Sequence, residues 1–251
     1  GAKVALVLAG GAVSGGAFKV GGLKALDDFL VGRGISDVDV YVGLSAGGLI
    51  AVPLAGGIGP DEMVRVLEGT SERFDQLRPI DFYGLNWREM AIRPLKFSYD
   101  ALSYLPGVTV DFLRSLPHLP DSVGRAAREF YADPNYTHLE ALMIRVMDIT
   151  SPKREVPALS NHIPSGIFDN SGLERWLRKN LERIRLPNDF RAFEKKRGRR
   201  LYIAACDVDT AERVIFGADE NCDITISQAV QASTALPIFY KPPRLNGIDY
   251  M

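Results

Sequence analysis

Histidine is scarce in this chain: His118, His138 and His162 are the only three in 251 residues. Cysteine is scarcer still. Cys206 and Cys222 cannot build a disulfide framework, and no Cys-x-x-Cys spacing offers a metal or redox site. Cys206 closes an apolar run, so a buried thiol is expected. No metal and no cofactor are expected. Charge of one sign is missing too: 30 basic against 31 acidic residues leave a net −1, so no overall field favours nucleic acid as a partner. No apolar run approaches the roughly 18 residues of a membrane span, so any meeting with a membrane would be peripheral. The start, Gly1-Ala-Lys-Val, is not a signal peptide. A cytoplasmic or peripheral membrane location is expected, with secretion left open.

What is present reads as an α/β protein. With 46% apolar and 24% charged residues the chain is an ordinary globular one, long enough for a single domain over 1–251. Lys3-Val-Ala-Leu-Val-Leu-Ala9 is a short apolar run, expected as a strand buried on both faces. A small-residue loop, 10–16, leads to a helix over about 17–31. A second strand over 38–42 and a helix from about 48 to 55 follow. Strand, helix, strand, helix predicts a mainly parallel sheet with helices on both faces, a three-layer sandwich. Residues 60–160 are rich in proline and helical patches and are expected as a helical and loop cap. Ser171 is the expected N-cap of an amphipathic helix over 172–184, with Glu174 completing a capping box. Strands over 201–206 and 213–216 and a helix over 225–233 follow.

Gly43-Leu-Ser-Ala-Gly47 fits Gly-x-Ser-x-Gly between an apolar strand and a helix. Such a turn lifts the serine hydroxyl out of the sheet at a helix N-terminus, where amide dipoles favour developing negative charge. A Cβ at Gly43 or Gly47 would strike the neighbouring strand or helix. The first glycine turn, Gly10-Gly-Ala-Val-Ser-Gly-Gly16, could hold a phosphate. It has no Gly-x-Gly-x-x-Gly, and Ala17 stands where a P-loop lysine would be. Alternatively, amides of Gly10, Gly11 and Ala12 could form an oxyanion hole beside Ser45, because loops at the carboxyl ends of adjacent parallel strands share a crevice. A serine nucleophile needs a base. A Ser-His-Asp hydrolase of this topology places its histidine late, yet nothing after His162 is histidine.

Four blocks in order resemble the patatin-like phospholipases. They are Leu6-Val-Leu-Ala-Gly-Gly through Gly21-Gly-Leu-Lys-Ala-Leu26; Gly43-Leu-Ser-Ala-Gly47; Ile163-Pro-Ser-Gly-Ile-Phe-Asp169 with Ala204-Ala-Cys-Asp-Val-Asp-Thr210; and Ala232-Ser-Thr-Ala-Leu-Pro-Ile-Phe-Tyr-Lys-Pro-Pro243. The resemblance implies a lipid acyl hydrolase with no metal or cofactor. Its Ser–Asp dyad would have Ser45 as nucleophile, forming an acyl-enzyme from a lipid ester. Two departures stand out. The glycine block is one residue longer than the family's Gly-Gly-Gly-x-Arg/Lys-Gly and lacks its basic residue. The family's aspartate, in Asp-Gly-Gly or Asp-Gly-Ala, would fall directly after Met251, so the chain is expected to continue there. Asp249 is the nearest carboxylate, but a one-residue slip on a strand reverses its face. Rival activities are an acyltransferase using the same acyl-enzyme and a non-catalytic lipid-binding module. Aromatics over 80–120, mixed with Arg88, Arg93 and Lys96, suit either core packing or an interfacial cap. The basic run 195–200 suits a solvated loop or anionic lipid heads.

Overall fold

Four strands build the main sheet. They are β1 (Ala5–Leu8), β2 (Val40–Leu44), β5 (Arg200–Cys206) and β6 (Arg213–Phe216), in the order β1-β2-β5-β6. The structure is a computed structural model. It describes residues 3–86, 121–134 and 165–251, with 89, 92, 137–138, 141–142 and 144–145 between them. Pairings β1–β2 and β2–β5 are parallel and β5–β6 is antiparallel, so the sheet is mixed though mainly parallel. The architecture is α/β of the three-layer kind.

Parallel register sets side chains of neighbouring strands on the same face. Tyr41, Leu201 and Ile203 are buried almost completely, whereas Val7, on the opposite face, is 70% exposed. The first strand was expected to be buried on both faces. Instead its apolar residues alternate, because the helical core seals one face and leaves the other half-covered. The buried Tyr41 hydroxyl donates to Ile35 O at 3.0 Å and accepts from Val38 N–H at 3.1 Å, so its burial leaves no unpaired oxygen.

α1 spans Ala12–Phe29, α2 Ala46–Ala55 and α3 Pro60–Glu68. The first begins five residues before its expected start: Ala12–Gly16 is its first turn, not a loop. Small side chains there permit close packing, and a Cβ on Gly16 would lie 3.6 Å from Ala46 Cβ. α2 is apolar all round and accordingly buried along most of its length. A short helix α4 (Pro79–Phe82) leads into β3 (Gly84–Leu85).

A second sheet joins β3, β4 (Gly166–Asp169) and β7 (Ile238–Tyr240). After β4 comes α6 (Ser171–Arg183), which buries Leu173, Leu177 and Leu181 at helical spacing. Its N-cap is Asn170, not the expected Ser171, and no capping box forms. Glu174 instead accepts from Ser227 Oγ at 2.9 Å and from Arg178 Nε at 3.1 Å. Asn170 is buried and donates to Gln231 O and Thr234 Oγ1, tying α6 to α8 (Ile226–Thr234). A genuine capping box starts α8, where Thr225 and Gln228 exchange bonds with each other's backbone. α7 (Phe190–Arg197) precedes β5. The basic run lies where α7 ends and β5 begins. Lys196 donates to Arg185 O, Arg199 pairs with Asp37, and Arg200 with Asp219 and Glu194.

A closing hairpin pairs β8 (Arg244–Leu245) with β9 (Ile248–Asp249) over Asn246-Gly247, both at positive φ, a tight-turn pair suited to hairpins. All of these elements lie in one compact unit, residues 1–86 and 165–251. A second unit, Trp87–Pro164, contains α5 (Asp121–Ala132), an amphipathic helix burying Val123 and Ala126.

Candidate active site

Ser45 directly follows β2 and caps α2 with φ 54° and ψ −124°, a conformation that costs a non-glycine residue about 1–3 kcal/mol. Both elbow glycines are sterically required. A Cβ on Gly43 would collide with Gly48 Cα, and one on Gly47 would collide with Leu8 O. The Gly47 clash shows how tightly the elbow sits against the end of β1. Gly48 and Leu49 amides donate to Ser45 O at 2.9 and 3.2 Å, which leaves the Ala46 and Gly47 amides without acceptors among the described residues.

The first glycine turn lies against this elbow. A Cβ on Gly10 would sit 3.5 Å from Ser45 Cβ and 3.8 Å from Leu44 O. Gly11, at φ 149°, caps α1, and its carbonyl accepts from Gly15 N–H at 2.8 Å. Among the described residues the amides of Gly11 and Ala12 have no acceptor. The structure therefore brings Ser45, Gly43 and Gly47 together with Gly10, Gly11 and Ala12. The N-termini of α1 and α2 thus lie side by side at Ser45.

Contacts invisible in the sequence complete the arrangement. Ser233, 6% exposed on α8, accepts the Ser45 N–H on its Oγ at 2.7 Å. The Ala46 amide, at the residue after Ser45, holds the position from which Gly-x-Ser-x-Gly elbows present a donor. Lys19 Nζ donates to Gly10 O at 2.8 Å and to Gly15 O at 3.2 Å. Only the alanine-serine block around Ser233 carried any sequence signal, and that signal lay in the family resemblance, not in the residue's own spacing.

Beside Ser45 opens a cavity of about 630 Å³ lined mostly by apolar side chains of α1, α2, α3 and α6. Asn180 and Thr234 on its wall spend their polar groups on protein partners. The Ser45 hydroxyl has none among the described residues. Burial, and then the neighbouring Tyr83, push the Tyr240 phenol up to about 12, so this wall residue stays neutral. None of the described lining residues is a histidine. His138 bonds Asp133 O at 2.9 Å in its own unit, and His118 and His162 lie outside the described residues.

The last residues approach the same place by the hydrogen-bond ladder. Arg200 N–H donates to Asp39 O, so even-numbered residues of β5 face the β2 edge. Cys206, of the same parity, exchanges two bonds with Met251 at 2.6 and 2.9 Å. Met251 thus occupies the edge that β2 leaves when it turns at Ser45. Asp249 directs its carboxylate to Arg244 at 3.4 Å. Cys206 is half-buried at the strand end, not sealed in the core as expected, and both cysteines are free. Asp207 caps its own turn through the Asp209 and Thr210 amides. Of the aromatics expected to form a cap or core, Phe82 and Tyr83 are described. Tyr83 meets Phe168 edge-on at 5.4 Å and stacks on Tyr240 at 6.4 Å. The other aromatics of 80–120, with Arg88, Arg93 and Lys96, lie outside the described residues. Among the described residues no group of His, Cys, Asp or Glu is arranged to hold a metal ion, and no helix is long and apolar enough to cross a membrane.

Compared with protein-family models, residues 6–251 match the patatin-like phospholipase model. Among solved structures, VipD from Legionella pneumophila aligns with 99% of this chain at a TM-score of 0.46 and 18% identity. The complex of full-length SpcU with full-length ExoU, from the type III secretion system of Pseudomonas aeruginosa, aligns with 94% at 0.41 and 18%. The chain spans 45% and 39% of those matched chains. No curated protein matches it in sequence.

Proposed function

The chain belongs to the patatin-like phospholipase family, and on that premise we propose that it hydrolyses acyl esters of phospholipids or related lipids, with Ser45 as nucleophile. The observation that carries the reading is the contact between the two turns: Ser45, its hydroxyl without a partner among the described residues, lies against the Gly10–Ala12 turn at the wall of an apolar cavity. An acyl chain in the cavity sets its ester carbonyl against Ser45. The Ser45 proton passes to a carboxylate as Oγ attacks the carbonyl carbon. The resulting oxyanion takes hydrogen bonds from the amides of Gly11, Ala12 and Ala46, donors each worth about 10²–10³ in rate in comparable sites. The proton moves to the departing alcohol as the C–O bond breaks. Water, deprotonated by the same carboxylate, then releases the fatty acid from the acyl-enzyme.

The ladder supports entry of that carboxylate from the strand edge that β2 leaves at Ser45. Leu44 is level with Ala204, and Met251 with Cys206. We do not assign the role to Asp249, whose carboxylate pairs with Arg244 at 3.4 Å.

The test is hydrolysis of a short-chain nitrophenyl ester by the full-length protein and its Ser45→Ala variant. Loss of turnover by about 10⁴-fold or more is expected, in line with removal of a nucleophile acting in concert with its base. Unchanged turnover in Ser45→Ala refutes the assignment.

A further inference from the structure

Among the described residues Lys19 is a cation without a carboxylate. Its ammonium spends two donors on backbone carbonyls, Gly10 O at 2.8 Å and Gly15 O at 3.2 Å. The space it occupies exists because two nearby residues have no side chains. A Cβ on Gly11 would lie 3.0 Å from Nζ, and one on Gly15 3.4 Å. Gly11 also needs glycine for its φ of 149°. The glycine-rich start of α1 is thus a socket for the Lys19 ammonium as well as a close-packing surface.

The peptide joining Gly10 to Gly11 gives this socket a consequence. In a trans peptide the carbonyl and the following N–H point in opposite directions. Lys19 draws the Gly10 carbonyl toward α1, which turns the Gly11 N–H away from α1. Gly10 itself lies against Ser45, and the Gly11 N–H has no acceptor among the described residues. We infer that Lys19 is a positioning residue that holds the Gly10–Gly11 peptide in the orientation presenting the Gly11 N–H to the oxyanion formed at Ser45. This inference rests on the hydrolase reading of Ser45. Without the ammonium, the glycines at 10 and 11 leave the peptide free to rotate, and the donor is no longer fixed before reaction. Because the ammonium acts on the loop, its loss weakens binding of the transition state and leaves ground-state binding of the ester intact.

The experiment compares wild type, Lys19→Met and Lys19→Arg in the full-length protein on a soluble nitrophenyl ester, alongside a crystal structure of Lys19→Met. In Lys19→Met, kcat is expected to fall by about 10- to 100-fold with KM within about twofold, less than outright loss of an oxyanion donor. Lys19→Arg is expected to regain most of the loss, and the Gly10 carbonyl in Lys19→Met to have turned from its present direction. An unchanged kcat, a rise in KM alone, or a Gly10–Gly11 peptide that keeps its orientation overturns the inference. If Lys19→Met does not fold, a Lys19→Arg variant that folds but is no better than an inactive enzyme also overturns it. Failure of the underlying hydrolase reading shows separately, as wild-type turnover that does not depend on Ser45, and the peptide orientation in Lys19→Met then decides the Lys19 claim alone.

Discussion

The strain at Ser45 is held by neighbours on three sides. Gly47 lets the elbow press on the end of β1, Gly43 lets α2 start against β2, and Ser233 fixes the Ser45 amide. Gly47→Ala drives a methyl group into Leu8 O, so we expect a destabilisation of about 1–3 kcal/mol or more together with lost turnover, read by thermal melting and ester hydrolysis. Ser233→Ala leaves a part-buried N–H without its acceptor. A cost of about 1–3 kcal/mol in stability is expected, with a drop in kcat as the elbow loosens, and chemical denaturation with steady-state kinetics measures both. The Ser45 turn was legible in the sequence because its requirement is local: two glycines and a serine between a strand and a helix. Ser233 and Lys19 were not, because their partners are defined by the fold, one of them 188 residues away.

At the scale of elements, the site is the meeting of two helix starts at the ends of adjacent parallel strands. The βαβα opening could be read from apolar runs and glycine punctuation. The start of α1 could not, since Ala12-Val-Ser-Gly-Gly16 has the composition of a loop and is helical only because it packs on α2 and seats Lys19. The N-cap of α6 departs from the local pattern for a similar reason: Glu174 is claimed by Ser227 across the helix pair, a tertiary partner that outcompetes the local box. The antiparallel β6 also went unread, because an isolated four-residue strand carries no signal of its direction. The cavity between α1, α2 and α6 belongs to this scale. Leu49 lies on its wall one turn after Ser45. Leu49→Trp is expected to lower turnover of long-chain esters by about 10-fold or more relative to acetyl esters, since a few methylenes of lost burial suffice for that ratio. A chain-length series of nitrophenyl esters reads the change.

For the whole molecule, the exposed charge pairs bear mainly on acid behaviour. Asp39 is held below its ordinary 3.8 by the Val4 N–H first and Arg33 second, and Asp61 below it by Lys24. A depressed carboxylate contributes stability that is fully present above its ordinary value and is lost as pH falls through the lower, folded one. Melting temperature is therefore expected to decline on acidification below about pH 4, with the decline shallower in Asp39→Asn. An identical acid profile in that variant contradicts the assignment. At this scale the family match spans nearly all of the chain, while the catalytic proposal concentrates in one oxygen. The most direct measurement is mass spectrometry of the full-length protein quenched in acid during turnover of a phospholipid. The account predicts an added fatty acyl mass on the peptide containing Ser45 and none in Ser45→Ala. Turnover proceeding with no acyl group on Ser45, or with one on another residue, contradicts it.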